Sequence, residues 1–183
     1  MNKVKYGLKN AYYAVITYGT GGAITYGTPV AWPGAVSLSM AQQGEVSTFR
    51  ADNVDYWKGA SNNGYEGDFE SALIPDSFRT AVLGEVLDRD GFYVEKAGVP
   101  TVEFALLFQF EGDESATRHC FYRCVATRPD VNGQTTDTNI EPQTETITIS
   151  AMPRIADDVV KARCPADATA YANWFTAVQE PNA

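Results

Sequence analysis

The side chains best suited to covalent or metal chemistry are three cysteines and one histidine, and His119, Cys120 and Cys124 fall within six residues of one another. On an extended strand, four residues at about 3.3 Å each put Cys120 and Cys124 about 13 Å apart, beyond disulfide reach. Cys164 stands alone, and no second Cys/His pair completes a zinc site. The thiols read as small apolar fillers of a reduced compartment. His119 would have to serve any hydrolase triad, yet there is no G-x-S-x-G elbow. Gly19, Thr20, Gly21 and Gly22 lack the G-K-[ST] ending of a phosphate loop, and a strand rather than a helix is expected next. Asp88, Arg89, Asp90 and Gly91 have a calcium-loop flavour. The third oxygen ligand before the glycine and the glutamate six residues after it are missing, so a plain turn is expected. Glu66 and Asp68 share a polar face where nothing buries one of them to raise its pKa, as acid–base work would require. The expectation is therefore no catalytic residue, no metal, no cofactor and no enzymatic activity.

The elements that would position these residues are mostly strands. Val, Ile and Thr number 40 against 7 Leu, with ten Tyr and nine Phe, a composition suited to pleated, half-buried surfaces. The 183 residues are enough for one domain, and a net charge of −9 argues against a surface that grips phosphate. The apolar runs at 11–16 and 104–108 are far shorter than the roughly 20 residues of a membrane helix. Nor does a long apolar stretch follow the basic start, so no signal peptide is expected.

Residues 1–10 alternate Lys3, Lys5 and Lys9 with Val4, Tyr6 and Leu8, an extended arm or edge strand with one basic side. A second strand at 11–18 ends in the turn at 19–22. Val36, Leu38 and Met40 point inward from the next. Residues 41–64 are a polar excursion carrying Phe49, Tyr56 and Trp57. They could form a hairpin across Ala51, Asp52 and Asn53, either as an intermolecular contact or over a local mini-core. In the strand at 65–73, Tyr65, Phe69 and Leu73 oppose Glu66, Asp68 and Glu70. Pro75 opens a helix with a stripe of Phe78, Val82 and Leu83, stopped near Gly84. Val102, Phe104, Leu106, Phe108 and Phe110 form the core face of the strongest strand. Its antiparallel partner is 118–127 across a turn at 112–115, and Ile147 and Ile149 face inward from a later strand. Residues 168–183, with Tyr171, Trp174, Phe175 and Val178, form a short amphipathic helix or a docked aromatic tail. The expected fold is one mainly-β domain: an antiparallel β-sandwich or barrel, a flanking α-helix, and extended arms or a loop for assembly.

Five segments carry a resemblance: NKVKYGLKNAYYAVIT, ASNNGYEGDFESALIPDSFRTAVLGE, RHCFYRCVATRP, IEPQTETITISAMPR and YANWFTAVQEP. In that order, along almost the whole chain, the sequence resembles the major tail protein of long-tailed, non-contractile bacteriophages. The stretch 87–98 carries no motif of that family.

The resemblance implies a virion protein made in the bacterial host cytoplasm, whose fold is two packed antiparallel sheets with a flanking helix. Six copies would close a ring around a lumen, and rings would stack into the tail tube that delivers the genome. The implied partners are further copies of the chain, the tape measure and tail terminator proteins, and DNA that passes without tight binding; no membrane is involved. Arms and a long loop usually join rings in that family, which makes Lys3, Lys5, Lys9, Phe49, Tyr56 and Trp57 the candidate inter-ring residues. The lysines could meet Asp130, Asp137 or Glu141 of the next ring. The candidate lumen acids are Glu66, Asp68 and Glu70, joined by Glu103, because a conduit must not hold its DNA. Glu145 is weaker, since alternation puts it beside Ile147. A second reading is a β-sandwich binding module for carbohydrate or a receptor, with Trp32, Tyr56 and Trp57 as its platform.

Overall fold

The structure is a computed structural model that describes residues 4–20, 23–111, 116–135 and 142–181. Lys3, Gly21, Gly22, Asp137, Glu141 and the expected turn at 112–115 lie outside the described residues. Among the described residues thirteen strands follow in order: β1 (Leu8–Tyr18), β2 (Ile24–Tyr26), β3 (Val30–Trp32), β4 (Ala35–Gln43), β5 (Val46–Ala51), β6 (Val54–Ala60), β7 (Gly64–Ser71), β8 (Val86–Leu87), β9 (Tyr93–Val94), β10 (Phe104–Phe110), β11 (Arg118–Ala126), β12 (Glu145–Ala151) and β13 (Lys161–Cys164). Between β7 and β8, one helical turn α1 (Asp76–Phe78) widens into a π-turn at Arg79–Leu83.

The fold is mainly antiparallel β. Nine strands share one sheet whose main path runs β2-β1-β10-β11-β12-β7-β4. Strands at its corners divide their edges between partners: β1 pairs with β3 at Ala11–Tyr13 and with β2 at Ile16–Tyr18, and β11 pairs with β13 through its first half and β12 through its last three residues. The path curls until its ends approach. Trp32 Nε1, on β3 beside β1, donates to Ser71 Oγ of β7 at 2.9 Å across the gap, while Ala72 N donates to Gly34 O at 2.8 Å and extends the β4–β7 pairing. One barrel-like wrap around the main core thus takes the place of two separate sheets.

The main core holds Tyr13, Trp32, Phe69, Phe104, Leu106, Phe108, Ile147 and Ile149 inside the wrap. Each such fully buried apolar side chain contributes roughly 1.5–3 kcal/mol. Phe78, Val82 and Leu83 plug one end of the barrel, with Phe78 edge-on to Tyr13 and Phe104. This end is called the helix pole below. Gly84 stops the helix with φ 78°, as the apolar stripe predicted.

β10 is buried on both faces. Its second face, Ala105 and Leu107, packs with Ala14, Cys120, Tyr122, Cys164 and Trp174 under the C-terminal segment. That segment is the docked-tail alternative: a single 3-10 turn at Tyr171–Asn173, with Phe175 stacked on Tyr12 at 4.8 Å. A register shift in β11 between its pairings with Phe104 and Leu106 also sends Cys124 to the main core and Cys120 to the second.

Four local readings are corrected, the first two by similar irregularities and the last two by where strands end. Residues 8–18 form one strand, broken by a register shift between Lys9 and Tyr12 where Asn10 has φ 51°, and not an arm followed by a second strand. Val36 lies at a shift between Ala35 and Ser37 and faces solvent. Leu73 lies past the end of β7 and is 71% exposed, and Val102, ahead of β10, is also exposed.

Candidate functional site

Three surfaces stand out, and the first is a wall of carboxylates. On β7, Glu66, Asp68 and Glu70 share the outer face, between β4 and β12. Their cross-strand neighbours are Ala41, Ser39 and Ser37 on one side and Ser150, Thr148 and Thr146 on the other. The face is therefore an acid column bordered by small side chains, mostly hydroxyls. Thr148 Oγ1 donates to Asp68 at 2.9 Å, while Thr144 and Ser37 donate to the two oxygens of Glu70 at 2.7 and 2.9 Å. Those hydroxyls, Thr144 first, hold the Glu70 carboxyl below its ordinary range. Among the described residues no lysine or arginine pairs with any of the three acids.

Glu103 belongs elsewhere. Both of its oxygens meet the Arg123 guanidinium at 2.8 Å, and Tyr18 OH donates to it as well. Burial pushes its carboxyl up, but Arg123 and Tyr18 outweigh that and leave it lowered. With its charge matched, Glu103 adds nothing to an acidic wall. Glu145 turns inward, as alternation predicted: it accepts from Ile74 N and from Arg79 Nη2, both at 2.6 Å, and pins the helix to the barrel.

The second surface is the hairpin of β5 and β6, which rises between β4 and β7 and pairs only with itself. Asp52 and Asn53 make its two-residue turn with φ 51° and 62°, the left-handed pair that a tight hairpin demands. Phe49 lies opposite Trp57, and the next pairing, Arg50 with Asp55, skips Tyr56 as a bulge. Asp55 meets Arg50 at 3.2 Å and Lys58 at 3.1 Å. Phe49, Tyr56 and Trp57 are 60%, 71% and 56% exposed, so no mini-core lies beneath them. Gly59 makes room for the indole, since a Cβ there would collide with the Trp57 ring.

The third surface has no signature in the sequence. The barrel end opposite the helix pole is open: a cavity of about 240 Å³ floored by Met40, Tyr65, Phe108, Phe110 and Phe121. Its rim carries two lysines. Lys5 Nζ stands 4.4 Å from the Phe110 ring centroid and Lys161 Nζ 4.2 Å from that of Tyr65. Lys5, expected on an extended arm or edge strand, lies against the barrel's own mouth, and Lys9 pairs with Glu111 at 3.7 Å. Lys161 carried no sequence signal, because a single lysine opening a four-residue strand has no periodicity to mark it.

Burial pushes all three cysteine thiols up, Cys120 and Cys124 far enough to keep them protonated and inert. Among the described residues no group of three or more His, Cys, Asp or Glu could hold a metal ion. Likewise, among them no helix is long and apolar enough to cross a membrane.

No protein-family model matches the chain, and neither does any curated protein. Among solved structures it is similar to a chain in the cryo-EM structure of the anti-feeding prophage baseplate, 6-fold symmetrised. The TM-score is 0.45 and 9% of residues are identical, over 92% of this chain and 99% of that one. The likeness is distant.

Proposed function

We propose that this chain is a structural subunit of a phage-type virion tail that assembles with copies of itself into stacked rings, forming a tube for genome delivery. The observation that carries the proposal is the self-paired hairpin, which holds the cross-strand pair Phe49 and Trp57 in water beside a well-packed barrel. A monomer gains nothing from that arrangement, whereas an assembly buries it. The acid column on β7 supports a lumen role. Duplex DNA carries about one charge per 1.7 Å of axis, and a carboxylate wall forms none of the lysine contacts that would hold it. The segments that resemble tail tube proteins point the same way. In this reading the chain has no catalytic task, six copies make a ring, tape measure and terminator proteins are its other partners, and assembly takes place in the host cytoplasm.

The binding-module reading loses part of its platform: Trp32 is 2% exposed and bonded to Ser71 inside the core. Negative-stain electron microscopy of the concentrated protein separates the two readings. Rings or tubes are expected, and a field of monomers at every concentration would overturn the proposal.

A further inference from the structure

The barrel mouth and the β8–β9 turn have matching chemistry and belong to opposite ends of the molecule. The mouth is a cavity lined by aromatic rings and by polar side chains, His119 among them, with Lys5 and Lys161 at its rim, and among the described residues neither ammonium meets a carboxylate within 4.0 Å. On a chain of net charge −9 this is a cationic island. The turn follows the helix pole, where Val102 N donates to Val82 O at 2.8 Å and Arg128 reaches the carbonyls of Leu83 and Val99. Its tip reads Leu87, Asp88, Arg89, Asp90, Gly91 and Phe92, and all six residues are exposed. Leu87 and Phe92 are more than half exposed, and the space beside Gly91 is open. Two carboxylates against one guanidinium leave the tip acidic, between two apolar side chains.

We infer that the β8–β9 tip of one copy seats in the open mouth of a second copy, with Phe92 and Leu87 on the aromatic floor and Asp88 and Asp90 against Lys5 and Lys161. The inference rests on the self-assembly reading above and names its contact. The charges fit this occupant better than the β5–β6 hairpin, whose Asp55 is held by Arg50 and Lys58, which leaves one carboxylate, Asp52, at its turn against two on the β8–β9 tip. One chain cannot satisfy its own mouth, because the length of β10, about 23 Å at 3.3 Å per residue, separates the two ends. The contact is therefore heterologous: each copy offers a tip and a mouth, so the interaction repeats along an axis.

The test uses the full chain under assembling conditions. A zero-length carbodiimide links only a carboxylate touching an amine, and mass spectrometry should find Asp88 or Asp90 joined to Lys5 or Lys161. In parallel, Lys5→Glu with Lys161→Glu, and separately Asp88→Lys with Asp90→Lys, should each slow assembly at least tenfold at low salt. The chain carrying all four changes should recover. Circular dichroism checks each variant's fold, and Lys→Gln and Asp→Asn forms replace any that fails. Wild-type tubes with unaffected variants, or cross-links joining the rim lysines to Glu45 or Asp52 of the hairpin instead, would overturn this contact and leave the self-assembly reading standing. A wild-type chain that never assembles would overturn both.

Discussion

The Glu103–Arg123 pair shows how far one neighbour can change the meaning of a carboxylate. Alternation placed Glu103 among the outward acids, but a bidentate guanidinium and the Tyr18 hydroxyl bind it at the barrel wall. Glu103→Gln should cost about 1.5–3 kcal/mol in urea unfolding, the range for hydrogen bonds to charged groups. The folded carboxyl titrates below its unfolded value. Its stabilisation is therefore complete above the ordinary glutamate range and fades as the pH falls through the lowered value, and the variant should lose that part of the acid dependence. Phenylalanines can be ranked in the same way. Phe104→Ala empties a closed core beside Phe78 and should cost about 3–5 kcal/mol, whereas Phe108→Ala, on the cavity floor, should cost less. Equal losses would mean that the mouth is closed.

Elements built on strict alternation were legible in the sequence. Ile147 and Ile149, Phe104 to Phe108, and the Phe78–Val82–Leu83 stripe lie where their periods put them, because one face of each had to leave water. The misreadings at Val36, Leu73 and Val102 fall at register shifts or just beyond strand ends, where one inserted or unpaired residue turns the next side chain over. A bulge leaves no compositional mark. The acidic face of β7 was readable for the same reason as the core, whereas the mouth was not, since it joins Lys5, Tyr65 and Lys161 across most of the chain. Two predictions belong to elements. In Gly67→Ala the new Cβ would collide with the Ser39 carbonyl oxygen, so β4 should detach from β7, seen as faster amide exchange across residues 37–43. Phe49→Ala with Trp57→Ala should change monomer stability by no more than about 0.5 kcal/mol, as expected for exposed sites, yet abolish rings in electron micrographs.

At the scale of the whole molecule, charge is unevenly spread. Against a net charge of −9, the β7 column is a purely acidic strip, while the mouth carries two lysines. Repeated around a ring, Glu66, Asp68 and Glu70 would make an acidic belt whose field decays within about 8–10 Å in physiological salt, so it acts only on a duplex that nearly fills the bore. In the proposed tail tube, changing all three to Lys should slow or stall DNA ejection from virions with normal-looking tails. Wild-type ejection kinetics would put these acids on the outside of the tube.

The pairing of β1 with β10 also sets an order of events during synthesis. Leu8 partners Phe110, and Phe104 partners Cys124, so the central strand cannot be completed until most of the chain exists. Its second face then waits for Trp174 and Phe175. Until β10 is made, β1 can pair only with the short β2 and β3 and keeps its other edge open, and contacts this distant in sequence close slowly. By contrast β5 and β6 pair locally across two residues and can form early. The aromatic hairpin would thus be ready before the barrel that carries it. Ribosome-stalled chains ending near residue 165 should show hairpin formation without a protected β10, and a cell making this subunit in quantity would draw on its chaperones to keep those early hairpins apart.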